Sequence, residues 1–167
     1  MKRPDLPDHL APLSELVHSF DHFAFAVRYL GSSASFFQGF GGRFLRGGDN
    51  RRMGFRWIQF MLPGGTKVEA ISPVADDCFL HDFLRSRGEG IHHITFRVTD
   101  LAAAAERADA AGLQVVGLFT ELNTWKECFI HPRSAHGTVV QLAEWVDEDT
   151  SPPTLDAVLA GEIFSVV

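Results

Sequence analysis

The chain has 167 residues, 46% of them hydrophobic, and a formal net charge of −6, which describes a globular protein with apolar material for one compact unit or two small ones. The acidic balance argues against nucleic acid as a partner, because such binding relies on clustered Lys and Arg to neutralise phosphates. No apolar run is long enough to span a membrane and no signal peptide is recognised; two cysteines, Cys78 and Cys128, give no disulfide framework, so a cytoplasmic location with reduced, buried thiols is expected.

In chain order, residues 1–20 form an N-terminal extension with three prolines and one amphipathic turn from Leu13 to Phe20. Residues 21–28 read as a strand, 32–40 as a short Phe-rich helix, and 42–46, 55–62 and 67–72 as three further strands divided by Gly-rich or Pro-Gly turns. A linker over 73–90 carries Phe79, Leu80, Phe83 and Leu84 at helical spacing, which predicts one short helix. The alternation then restarts with strand 91–98, helix 100–111, and strands 113–118, 126–131 and 137–144. This second helix has the clearer signals, since Thr99 or Asp100 can cap it, alanines fill it, and Gly112 stands where a left-handed residue ends a helix. Residues 147–167 form a tail with a helical stretch at 154–160 and an apolar end, Ile163 to Val167, which is expected to cover a neighbouring subunit and so favours a homodimer.

The fold class is therefore α+β: two tandem βαβββ modules, 21–72 and 91–146, forming a curved mixed sheet around a metal-binding cavity. The modules also repeat in sequence. His22-Phe-Ala-Phe-Ala-Val27 returns as His93-Ile-Thr-Phe-Arg-Val98, 71 residues on, and Gly65-Thr-Lys-Val-Glu69 returns as Gly137-Thr-Val-Val-Gln141, 72 residues on. Residues two apart share a face of a strand. Phe23, Phe25 and Val27, with their mates Ile94, Phe96 and Val98, belong on the helix-packed face. His22, Ala24 and Ala26 lie opposite, as do His93, Thr95 and Arg97. Two histidines, the Glu69 carboxylate and the Gln141 amide can then converge inside a curved sheet. Neutral imidazole with carboxylate and amide oxygens suits borderline divalent ions, and four protein ligands leave a position open for substrate. The ligand set predicted is His22, Glu69, His93 and Gln141 around one divalent ion, with zinc, nickel, cobalt, manganese and iron all acceptable.

These modules, together with Gly90-Ile-His-His-Ile94 and His131-Pro-Arg-Ser134 followed by Gly137, resemble the vicinal oxygen chelate superfamily of glyoxalase I, methylmalonyl-CoA epimerase, extradiol dioxygenases and bleomycin-resistance proteins. The similarity covers roughly residues 20–146 and is closest to the epimerase-like and glyoxalase-like branch. It implies the same four metal positions and an enzyme that moves a proton next to a carbonyl or thioester, acting as an epimerase, isomerase or lyase. A sequestering, resistance-type binding protein and an extradiol-type dioxygenase are the alternatives it carries. One departure matters: the family's last-strand carboxylate is here Gln141, which is no base near neutral pH. Proton transfer then falls to Glu69 or to hydroxide at the metal, and Gln141→Glu is expected to preserve metal. Asp49, among Arg43, Arg46, Arg51 and Arg52, is a weak substitute for the acidic residue that the epimerases carry before the third strand. His92 reads as a core or supporting residue, His131 and His136 as loop residues, and Trp57, Phe60 and Trp125 as aromatic packing. The partner implied is a small molecule.

Overall fold

A computed structural model describes residues 13–146 and 151–164; the expectations for residues 1–12, 147–150 and 165–167 lie outside them. A short 3-10 turn, Leu13–Glu15, leads into β1 (Val17–Ala26), α1 (Leu30–Gly39), β2 (Arg43–Asn50), β3 (Phe55–Met61) and β4 (Lys67–Pro73). After α2 (Leu80–Arg87) come β5 (Gly90–Val98), α3 (Leu101–Ala110), β6 (Val115–Phe119), β7 (Trp125–Ile130) and β8 (Val139–Trp145), and then α4 (Leu155–Ala160). The class is α+β, with two tandem βαβββ modules as the sequence predicts. No described helix is long and apolar enough to cross a membrane.

Among the described residues, contacts group 22–94 with 151–164 in one compact unit and 13–21 with 95–146 in another. In the first unit the strand order is β2-β3-β4-β1, antiparallel at β2–β3 and β3–β4 and parallel at β1–β4. Val27, Phe37, Ile58, Phe60, Val68 and Val158 form its main core, so α1 and α4 both pack on this sheet. A second cluster joins Ala26 and Ile71 to Cys78, Leu80 and Leu84, with Trp57 and Phe83 against it, which seats α2. The residues alternate between the two clusters along β1 and β4, as a period of two requires. Phe25 and Val27 join the helix-packed core as expected, whereas Phe23 is 36% exposed.

In the second unit β5-β8-β7-β6 is the order, with β6–β7 and β7–β8 antiparallel. Val98, Leu101, Ala104, Ala108, Cys128 and Leu142 make its core. Helix α3 starts on Asp100, whose side chain accepts from Ala103 N at 3.0 Å, and gives way to Gly112 at φ 77°. Both cysteines are free and buried; burial raises the Cys78 thiol and pushes that of Cys128 up to about 11.

Two expectations are corrected. The segment Leu13–Phe20 is not an amphipathic turn: Val17 to Phe20 already belong to β1, because Leu13, Leu16 and Val17 reach the α3 core. β2 runs on to Asn50 through Gly47 and Gly48, which read as turn residues. A Cβ at Gly47 would collide with Trp57 O of β3 and lie 2.9 Å from Val158 Cγ1 of α4, so glycine there admits both neighbours rather than a turn. In the tail, the described Ile163 and Phe164 contact their own chain. Ile163 packs on the α1–α4 core, its carbonyl accepts from Asp49 N at 2.8 Å, and Arg51 lies 3.5 Å over the Phe164 ring.

Candidate metal centre

His22 on β1, Glu69 on β4 and His93 on β5 come together in the first unit, with ligand atoms all within 4.8 Å of one another. Strand register accounts for the meeting. β1 and β4 pair in parallel with Ala24 opposite Glu69, so the small Ala24 and Ala26 share the His22 face and leave Glu69 beside the imidazole. His22 Nε2 lies 3.6 Å from Glu69 Oε1, and the His22 and His93 ring centroids are 5.8 Å apart. All three residues are buried, at 3%, 8% and 7% exposure. Such burial of titratable side chains costs free energy unless a partner or an ion compensates it.

Two supporting residues complete the cluster. Gln59, directly opposite Glu69 on β3, donates from Nε2 to Glu69 Oε2 at 2.8 Å, which fixes one carboxylate oxygen and leaves Oε1 toward His22. His92 Nδ1 meets His93 Nδ1 at 2.9 Å. Burial, with help from the neighbouring His92 and His22, holds His93 well below the ordinary imidazole range, so its ring is neutral. Burial likewise lowers His92 to about 4, with the Glu69 carboxylate opposing and Arg87 adding to the shift. Two imidazoles, one of them held neutral, and one carboxylate in a buried pocket fit a borderline divalent cation. Gln59 escaped the sequence reading, although the tight turn at Pro63–Gly65 pairs Met61 with Lys67 and thereby sets Gln59 against Glu69.

Gln141, the fourth residue of the repeat, belongs to the other unit and is 7% exposed. Its Oε1 accepts from Thr95 Oγ1 at 2.6 Å and its Nε2 donates to Glu127 Oε2 at 2.7 Å. Glu127 is itself 5% exposed and was also missed by the sequence reading. Asp49 is held by Arg56 through both carboxylate oxygens, while Arg56 Nη1 donates to Leu159 O at 2.7 Å, which ties the pair to α4. His131 accepts from Arg133 N at 3.2 Å and caps the Pro132–Ser134 turn, and His136 is exposed. Trp57 and Phe60 pack in the cores, and Trp125 stacks on Trp145 at 5.5 Å.

Comparison with known proteins gives consistent relatives. The chain is 33% identical over 89 residues to the uncharacterized protein YqjC of Bacillus subtilis, covering 52% of this chain and 64% of that protein. It is 30% identical over 91 residues to the ethylmalonyl-CoA/methylmalonyl-CoA epimerase of Cereibacter sphaeroides, covering 52% of this chain and 68% of the relative. The crystal structure of methylmalonyl-CoA epimerase from Mycobacterium tuberculosis superposes with a TM-score of 0.71 at 26% identity, over 79% of this chain and 91% of that one. The chain thus spans about two thirds of the length of these two curated relatives. Residues 21–129 match the family model of the Glyoxalase/Bleomycin resistance protein/Dioxygenase superfamily, and the chain belongs to that superfamily.

Proposed function

We propose that the protein is an epimerase-type enzyme in which His22, Glu69 and His93 hold one divalent metal ion and Glu69 moves a proton next to the carbonyl of an acyl thioester. The observation that carries this reading is the buried cluster of two histidines and one carboxylate; the epimerase relatives supply the substrate class. A divalent ion held there supplies Lewis-acid polarisation of a substrate carbonyl oxygen. His22 and His93 are the imidazole donors, and the low proton affinity of buried His93 keeps its lone pair available at neutral pH. Glu69 is the only carboxylate of that cluster, and so the group there suited to taking a proton. Gln59 holds Glu69 Oε2 in place, so the carboxylate does not have to reorganise when its charge changes. Burial excludes water, which would otherwise compete for the carbon acid's proton and weaken the electrostatics of the site.

The same donor set is the one used by non-haem iron oxygenases, so the test separates the two chemistries. Metal-loaded protein is incubated in deuterated water with methylmalonyl-CoA, ethylmalonyl-CoA, glutathione hemithioacetal and catechols, while α-hydrogen exchange and oxygen uptake are followed together. Exchange on an acyl thioester without oxygen uptake is the expected result. Oxygen-dependent ring cleavage, or tight binding with no exchange on any compound, would replace this reading with a dioxygenase or a sequestering protein.

A further inference from the structure

We infer that His92 is the positioning residue of the centre: it fixes the tautomer of His93, and helix α2 holds it in place to do so. The inference rests on the metal reading above for its purpose, but the geometry stands within one unit and needs no ion. His92 and His93 are neighbours on β5, and neighbours on a strand ordinarily point to opposite faces. Their rings nevertheless meet, Nδ1 to Nδ1 at 2.9 Å, with centroids 5.2 Å apart and planes at 88°.

A neutral imidazole has one N–H donor and one acceptor nitrogen, so one of the two Nδ1 atoms carries the shared proton. With the proton on His93 Nδ1, that atom donates to His92, and His93 Nε2 keeps a lone pair for a cation. His92 Nδ1 must then accept, which puts its own proton on Nε2. The opposite arrangement protonates His93 Nε2 and removes His93 as a donor to a cation through that nitrogen. Hydrogen bonds of this kind to the second nitrogen of a ligating histidine set its tautomer and ring orientation.

The ring of His92 is held by apolar surfaces. Phe83 stands edge-on at 4.9 Å and Phe79 lies tilted at 5.4 Å, while Phe79 in turn abuts Phe55 at 5.9 Å. Phenylalanine edges and faces accept no ordinary N–H bond, so they fix where the ring sits and leave Nδ1 to His93. Helix α2 follows β4 and precedes β5 in the chain, and the Phe83–His92 contact gives it a role at the centre.

The test uses three variants of the full chain: His92→Phe keeps an aromatic ring without an acceptor, His92→Asn restores an amide oxygen, and Phe83→Ala loosens the ring from α2. Long-range proton–nitrogen correlation on metal-free, 15N-labelled protein reads the His93 tautomer, and cobalt(II) titration followed by visible absorption reads affinity. Wild type is expected to show His93 as the Nδ1–H form. His92→Phe should mix the tautomers and weaken cobalt binding about 10- to 100-fold, His92→Asn should recover most of both, and Phe83→Ala should fall between. A wild-type His93 tautomer and wild-type affinity in His92→Phe would overturn the proposal; if that variant does not fold, unchanged tautomer and affinity in Phe83→Ala would do so. Failure of wild type to bind cobalt would instead overturn the metal reading, while the metal-free spectra still decide whether His92 sets the His93 tautomer.

Discussion

Glu69 and Gln141 stand at the same place in the two modules, but the residues they bond have changed sides. In the first module the carboxylate is on the last strand, β4, and the amide that supports it, Gln59, is on β3 at 2.8 Å. In the second the amide is on the last strand, β8, and its carboxylate partner, Glu127, is on β7 at 2.7 Å. Each module therefore pairs a buried carboxylate with an amide, Gln141 buried and Gln59 half-buried, and neither pair sets two carboxylates in contact. An amide N–H donates to a carboxylate, whereas two buried carboxylates repel unless one is protonated. Gln141 is explained by Glu127 rather than by a loss of chemistry. In the proposed reading, the exchange leaves Glu69 as the carboxylate beside the two histidines.

The largest effect expected from breaking this asymmetry is on turnover. Glu69→Gln makes the first module's pair amide against amide, and α-hydrogen exchange should fall by about 10²- to 10⁴-fold, the usual contribution of a general base; the measurement is initial exchange rate in deuterated water at saturating metal. Full exchange in that variant would move the base elsewhere.

Next in size is Gln141→Glu, expected from the sequence to preserve metal, for which the Glu127 contact adds an effect on stability. It sets a second carboxylate against Glu127, and unfolding free energy at pH 7 should drop by about 3 kcal/mol. The folded pair then holds a proton more tightly than the unfolded chain. The loss should therefore grow as pH rises through the unfolded Glu value of about 4.3 and vanish below it. The double variant Glu127→Gln with Gln141→Glu restores one carboxylate and one amide. Urea denaturation of the four proteins gives the coupling energy, and additivity of the two changes would dissolve the account of the swapped pairs.

A smaller contrast lies at the helices of the two modules. Helix α1 starts at Tyr29 with no side-chain cap, whereas α3 has Asp100 and, in addition, Glu144, which accepts from Leu101 N at 2.8 Å and from Lys126 Nζ at 2.6 Å. Burial alone would raise the Glu144 carboxyl; the Lys126 and Leu101 hydrogen bonds and the Lys126 charge outweigh it and hold the group below its ordinary range. A lowered folded value means stability that is present above the unfolded pKa of about 4.3 and is lost as pH falls. Glu144→Gln should cost about 1 kcal/mol at pH 7 and nothing once Glu144 is protonated in both states, as thermal unfolding across that range would show.

Much of this was legible in the chain itself. The repeat of His22 in His93 and of Glu69 in Gln141 reflects one supersecondary unit used twice, and period-two alternation put His22 on the face of Ala24 and Ala26. What was missed depends on register between strands. Gln59 and Glu127 find Glu69 and Gln141 only through β3–β4 and β7–β8 pairing, which no single strand encodes. The His92–His93 contact breaks the alternation rule and depends on Phe79 and Phe83 from a separate helix. Gly47 misled for a related reason: glycine marks close approach as readily as a turn, and one approaching element, α4, is more than a hundred residues further along the chain.

Metal binding by His22, Glu69 and His93 is the central proposal, and equilibrium metal content tests it. Wild type, His22→Ala, His93→Ala and Gln141→Ala are stripped with chelator, shown by circular dichroism to be folded, dialysed to equilibrium against zinc or cobalt, and assayed for bound ion per chain. One ion per chain in wild type, with loss in both histidine variants, is the predicted result, and Gln141→Ala reports separately whether the repeat's fourth position takes part. Equal metal content in wild type, His22→Ala and His93→Ala would contradict the centre.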